Sequence, residues 1–387
     1  MSAMERAGVR VLASVCITLA VAASRSVPPR VPLLHTPTTR NVGLPAAEKC
    51  LPLLVDGTTF GATYTLRSDG SAASNASNAM WLQARQRGAT LAQISIPWAS
   101  IEPTPREINY ALVAELLSSA RSQGNTAILF NLAAIDTEHV SVPPDLAHPT
   151  DPTRLRDGLT WTSEELMDRY ALAAIVIAPL ASYYGAVAFG LGNEVTVNLG
   201  LHPETGAAYG NFVYSFRAWL KAQTSADLAV GVTMTVSDLA TAARASGGPP
   251  AWLATLLDPR VTDVTPLTYY ALKPDMTVRL NFSDTVSDVM AAVSLLPASA
   301  GSTGGCVVFQ EFGIPAGYGN ASSTDGSSQA LQATFITDFV TLLHEMNNTS
   351  PVRAAALFSF QVRFECNFVR VSKRNVQLEP LRVVHWY

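Results

Sequence analysis

The chain is poor in the residues on which several common chemistries depend. Cysteine occurs four times in 387 residues, and histidine six times, at 35, 139, 148, 202, 344 and 385. The histidines lack close ligand spacing, so neither a metal site nor any other cofactor is expected. No Gly-x-Gly-x-x-Gly turn follows the first strand candidate, and neither a Gly-x-Ser-x-Gly elbow nor a phosphate-binding loop occurs. These absences argue against dinucleotide, serine-hydrolase and P-loop chemistry. Charged residues make up only 14% of the chain and the net charge is −4, which gives no footing for a nucleic-acid partner.

What is present is apolar material, 48% of all residues, enough for a large buried core. Arg6 and Arg10 precede an apolar run from Val11 to Ala23, with Val21 and Ala23 as small residues for cleavage. This is the pattern of a secretory signal peptide over residues 1–25, with an uncleaved signal anchor as the alternative. Residues 26–50 are Pro-rich without hydrophobic periodicity and read as a linker. Export would give meaning to the Asn-x-Ser/Thr triplets at Asn75, Asn281, Asn320, Asn347 and Asn348. Beyond Cys16, the cysteines are Cys50, Cys306 and Cys366, which permit at most one internal bridge, Cys50 with Cys306 being one pairing.

Residues 51–387 read as one domain. Strand candidates fall at 59–64, 90–96, 126–132, 186–191, 228–234, 262–270, 305–310 and 353–360. Helical periodicity lies between them near 75–87, 110–123, 163–183, 207–223, 249–257, 284–296 and 328–347, with Gly88, Gly124 and Gly185 as C-terminal stops. Eight strands alternating with helices predict a single (β/α)8 TIM barrel. The apolar helix at 163–183 contains Pro179 and is read as a packing helix, with no stable membrane insertion expected. The tail from 365 to 387 has no clear closing helix and is read as irregular. A monomer is expected.

In such barrels the chemistry sits where strands end at the C-terminal rim. The fourth strand runs out as Phe189-Gly190-Leu191-Gly192-Asn193-Glu194, and the seventh as Val307-Val308-Phe309-Gln310-Glu311. Each places a glutamate directly after a buried apolar run, a costly position for a charge without a purpose. Two facing carboxyls suit glycosidic cleavage, one protonating the leaving oxygen and the other attacking the anomeric carbon. The long segment 133–162 is expected to shape the cleft; its Asp136, Glu138 and His139 are read first as a solvated surface, with contact to sugar hydroxyls as the alternative. Trp98, Trp161, Tyr269, Tyr318 and Phe360 are aromatic candidates for stacking on sugar rings.

With Asn193-Glu194 after strand four and Glu311 after strand seven, the sequence resembles the retaining clan A glycoside hydrolases, family 5 and its relatives. Pro97-Trp98-Ala99-Ser100-Ile101-Glu102-Pro103 is similar to a Trp-x-x-x-Glu-Pro segment of that clan, and Tyr270 ends strand six as a clan tyrosine does. The resemblance implies that Glu194 is the acid/base, Glu311 the nucleophile, Asn193 a ligand of the sugar 2-hydroxyl and Tyr270 a partner of the nucleophile. The substrate would be a β-linked oligo- or polysaccharide. The sequence also departs from the clan. Strand two, Leu91 to Ile96, lacks the usual arginine, leaving Gln93 or Ser95 to substitute. Thr268 stands where a histidine is common, and Phe358-Ser359-Phe360 where a tryptophan usually floors the site. Glu102 is read as a solvated or capping group. These departures motivate a second reading, an inactive carbohydrate-binding barrel, and transglycosylation is a third.

Overall fold

The computed structural model describes residues 61–65, 91–122, 124, 127–224, 228–272, 278, 281–296, 306–314, 329–349, 353–356, 368–371 and 376–379. The signal peptide, the linker, Cys50, Cys366, Tyr318 and Phe360 lie outside these residues. Eight strands occupy one parallel sheet in chain order: β1 (Gly61–Thr65), β2 (Leu91–Pro97), β3 (Ala127–Ala133), β4 (Ala186–Gly190), β5 (Ala229–Gly231), β6 (Val264–Tyr270), β7 (Cys306–Gly313) and β8 (Arg353–Ala356). Met234–Thr235 continues from β5 as a separate short strand against β6. The expected run over 228–234 is thus split.

Side-chain alternation divides the sheet into two apolar layers. Ala92, Ile94, Ile96, Ile128, Phe130 and Leu132 point outward into a core shared with the helices. Leu91, Ala127, Leu129, Ala188, Ala229, Val264 and Val308 form a second cluster drawn from strands alone. That second cluster is the filling of the barrel floor. The curl of the sheet follows from one contact. In a flat sheet β2 and β7 would stand five strands, or about 24 Å, apart; here Gln93 on β2 reaches Glu311 on β7 at 3.4 Å. The fold is a (β/α)8 barrel.

Helices fill the connections: α1 (Trp98–Ile101), α2 (Tyr110–Ser122), α3 (Glu164–Tyr183), α4 (Val195–Leu201), α5 (Gly206–Gln223), α6 (Val236–Arg244), α7 (Ala251–Leu256), α8 (Phe282–Ser294) and α9 (Gln329–Thr349). Gly124 and Gly185 have φ of 86° and 93°, and their N–H groups close the ends of α2 and α3 on Arg121 and Ser182, as expected of left-handed C-terminal stops. Asn281 caps α8 by accepting from the Ser283 N–H at 3.2 Å. Helix α3 is long and apolar enough to cross a membrane. In this fold ten of its twenty residues are buried, with Tyr170 meeting Trp98, Phe212 and Phe216 edge-on at 5.0–5.1 Å between ring centres. In the tail, Phe368–Val371 and Val376–Glu379 pair as an antiparallel hairpin.

One charge sits deep in this packing. Glu102, expected at the surface, is completely buried. It accepts from Trp98 Nε1 at 2.7 Å, from the Arg106 N–H at 2.7 Å and from Arg169 Nε at 2.8 Å. Arg169 also holds Asp145 at 2.5 and 3.0 Å. The reason for the difference is that α3 brings a cation inward, so the segments after β2 and β3 are tied to one helix. Removing the cation leaves a buried carboxylate with two neutral donors and no counter-ion, a defect that costs about 3–5 kcal/mol. We therefore expect Arg169→Met to lower unfolding stability by that order, read from urea midpoints at neutral pH.

Candidate active site

The elbow after β4 is where the chain turns most sharply. Glu194 has φ of 47° and ψ of 40°, a left-handed backbone at the N-cap of α4, and such strain in a non-glycine residue is worth attention at a rim. Gly192 makes the elbow tight, since a Cβ there would lie 2.4 Å from Val195 Cγ1 and 2.6 Å from the Tyr209 hydroxyl. The bend turns the Glu194 carboxyl into the barrel mouth. Its Oε1 accepts from Thr268 Oγ1 at 2.6 Å and its Oε2 from Thr137 Oγ1 at 3.1 Å.

On the opposite side, β7 contains a bulge. Phe309 pairs with Leu267 but Glu311, two residues on, pairs with Thr268, the very next residue of β6. Gln310 is the extra residue. Phe309 and Phe312 both pack outward on Phe339 of α9, at 5.2 and 4.4 Å between ring centres. The three-residue spacing between those anchors lets Gln310 and Glu311 both face the mouth. Bulges re-aim side chains in this way beside active sites.

Glu311 accepts from the Tyr270 hydroxyl at 2.9 Å and, at the long distance of 3.4 Å, from Gln93 Nε2. Of the two residues expected to stand in for the missing arginine, Gln93 is the one that reaches Glu311. Ser95 instead accepts from Asn131 Nδ2 at 3.0 Å. Asn193 is held from both sides, its Oδ1 accepting from Gln310 Nε2 at 3.0 Å and its Nδ2 donating to Asp136 at 3.1 Å. Gln310 in turn accepts from the Thr233 hydroxyl at 2.9 Å.

Among the described residues the donors shown at both carboxyls are neutral. Burial raises the Glu311 carboxyl from 4.5 to about 7, with the nearby Glu194 pushing the same way, while the bonds from Tyr270 and Gln93 oppose the rise. Burial also raises Glu194, offset by Thr268 and Thr137, and Asp136 and Asp238 add to the rise. Glu194 raises Glu311, and because such coupling is mutual the two titrate as a pair. Among the described residues no cluster of metal-binding side chains occurs.

The aromatic expectations fare differently. Trp98 is fully buried, its ring against Tyr170 and its N–H on Glu102. It has no exposed surface for a sugar, because the ion group beneath it draws the indole inward. Trp161 and Tyr269 are likewise buried at 2%, Trp161 against Tyr209 and Tyr269 against Phe339. Sequence reasoning missed Thr137 and Gln310. For Gln310 a signal existed, a lone amide in an apolar strand; nothing marked Thr137.

No family model and no curated protein matches the chain by sequence. Solved structures match it by shape. One is the exo-β-1,4-mannosidase Op5Man5 from Opitutaceae bacterium strain TAV5, at 15% identity and a TM-score of 0.53, over 78% of this chain and 51% of that one. A second is a GH5-4 broad specificity endoglucanase from an uncultured bacterium, at 11% identity and a TM-score of 0.54, over 83% and 91%. The chain shares the fold of these glycoside hydrolases. A GH1 β-glucosidase from Exiguobacterium antarcticum B7 shares it, at 13% identity and a TM-score of 0.52, over 79% and 88%. The chain spans about half the length of the mannosidase and most of the other two. The expected barrel is thus met at the level of the fold.

Because Glu311 binds its proton more tightly in the folded chain than in the unfolded one, its contribution to stability is greatest below about pH 4 and is lost as pH rises through about 7. Glu311→Gln should therefore unfold at higher urea than the parent at about pH 8, by about 1–3 kcal/mol, with the difference gone by about pH 4. Equal gains at both pH values would remove the burial argument.

Proposed function

We propose that the protein is a retaining glycoside hydrolase acting on β-linked glycans, with Glu311 as nucleophile and Glu194 as acid/base. The observation that carries the reading is the convergence of the two carboxyls on one residue. Thr268 bonds Glu194 through its hydroxyl and is the cross-strand partner of Glu311. Adjacent parallel strands are about 4.8 Å apart, which favours the short carboxyl separation of direct displacement over the wider gap that accommodates a water.

The reaction divides between the two residues. Glu311, ionised and oriented by Tyr270 and Gln93, attacks the anomeric carbon while Glu194 gives its proton to the departing glycosidic oxygen. Glu194 then accepts a proton from water, which displaces Glu311 and restores the starting state. Asn193, fixed between Gln310 and Asp136, has one N–H left over to meet the sugar 2-hydroxyl. Glu311→Ala should abolish hydrolysis of aryl β-glycosides while the protein still folds, and NMR of the first-formed product should show the substrate's anomeric configuration. Turnover that survives in this variant would end the proposal.

The charge on Glu311 sets the pH dependence. The attacking group must be ionised, so kcat/KM should rise with an acid limb near pH 7. Tyr270→Phe removes a donor to the anion and should move that limb further up while lowering kcat about 10- to 100-fold; an unmoved limb would detach Tyr270 from the nucleophile.

A second reading, a carbohydrate-binding barrel without turnover, is favoured by one observation: an amide, not a cation, faces Glu311. Glycan binding by calorimetry without release of reducing sugar would support it. Interception of the covalent intermediate by a sugar would instead lengthen the product chains. We further propose export of the chain as a monomer, on the charged and apolar pattern of residues 6–23; an intact N-terminus on protein recovered from the medium would contradict cleavage.

A further inference from the structure

The segment between β3 and α3 begins with a tight turn, Ile135–Asp136 paired back on His139–Val140. Its tip, Thr137, has φ of 57°. Among the described residues only three non-glycine residues have positive φ, Arg106, Thr137 and Glu194, and two of these touch each other. A left-handed backbone is especially unfavourable for a β-branched residue. Glycine or asparagine would meet the backbone requirement more easily, yet neither supplies the threonine hydroxyl.

The turn and the elbow are laced together. The Ala134 N–H donates to Leu191 O at 2.9 Å, the Asn193 N–H to Ile135 O at 2.8 Å and the Thr137 N–H to Asn193 O at 2.9 Å. On the far side the Asn198 N–H donates to Thr137 O at 3.2 Å, and its side chain holds Glu138 O at 2.6 Å. The turn thus extends the β3–β4 pairing past the ends of both strands and clamps the start of α4. Within that clamp Thr137 Oγ1 donates to Glu194 Oε2, while Thr268 serves Oε1. One hydroxyl per oxygen fixes the plane of the carboxyl as well as its position.

We propose that Thr137 is a positioning residue for the proton donor, its left-handed backbone being held by the β3 turn so that its hydroxyl sets the direction of the Glu194 carboxyl. The proposal rests on the reading of Glu194 as acid/base. A hydroxyl can donate to Oε2 only while that oxygen carries no proton, so the contact favours the ionised form. It acts when Glu194 must recover a proton from water, and gives way when Glu194 is loaded. Other groups around this carboxyl are Asp136 beside Thr137, Asp238 on α6 and Glu311 on β7, all acidic, with Thr268 on β6 the other neutral donor.

The test compares Thr137→Val, which keeps the shape and loses the hydroxyl, with Thr137→Ser, which keeps the hydroxyl. Thr137→Asn tolerates the left-handed backbone and serves if the valine variant does not fold. The valine variant should lose about 10-fold or more in kcat with KM changed by less than about 3-fold, and its alkaline limb should move to higher pH. Serine should restore both. A merely structural role would lower the melting temperature and leave the limb in place, which would overturn the proposal. The same shift is readable without turnover, from the 13C titration of the Glu194 carboxyl by NMR in the parent and the variant. An unmoved midpoint there overturns the positioning role. Absence of hydrolysis in the parent, with the midpoint moved, overturns only the proposed activity.

Discussion

Two carboxyls facing one barrel mouth cannot both be ionised cheaply, and the rest of the site is arranged around that constraint. Burial raises the proton affinity of both Glu194 and Glu311, and the neighbouring Glu194 raises that of Glu311 further. Every group shown to answer them is neutral: Thr137 and Thr268 for one, Tyr270 and Gln93 for the other. A neutral donor stabilises an anion by about 1.5–3 kcal/mol in a hydrogen bond to a charged group. A guanidinium at ~4 Å adds a Coulomb attraction of about 4 kcal/mol at an effective dielectric of ~20. With neutral donors alone shown against it, burial leaves Glu311 titrating at about 7.

The positions of these groups follow from two local irregularities in an otherwise regular sheet. At the end of β4, glycine at 192 admits the tight turn and Glu194 takes a left-handed backbone. In β7 one extra residue turns Gln310 inward beside Glu311. Both departures from strand geometry are anchored by packing on their outer side, Val195 against the elbow and Phe309 and Phe312 against Phe339. The rigid aromatic layer under α9 is therefore part of how the site is made.

The alternation of eight apolar runs with helical stretches was legible because each strand buries two faces and each helix one, and the strand ends named both glutamates. What was not legible depends on contacts distant in the chain. Glu102 reads as a surface acid until Arg169, 67 positions away, is brought beside it. Trp98 reads as a sugar platform until the same group draws its N–H inward. The short helix α6 was missed because it follows Met234–Thr235 directly, with Thr235 capping it by accepting from the Asp238 N–H at 3.2 Å, a signal one residue beyond the end of the expected strand.

The exchange of a cation for an amide at Gln93 also bears on which proposed step is harder. In the first half of a double displacement the nucleophile must be anionic and the acid protonated, yet the pair holds its shared proton close to Glu311 as well as Glu194. Only the form with the proton on Glu194 can react. Among the described residues the donors shown are neutral: Tyr270 and Gln93 favour the anion on Glu311 while Thr137 and Thr268 favour it on Glu194, so the balance between the two sets decides how much of that form is present. The left-handed backbones of Glu194 and Thr137 hold each other in place, so that the Thr137 hydroxyl meets the carboxyl in its ionised form, the form that takes a proton from water in the proposed second step.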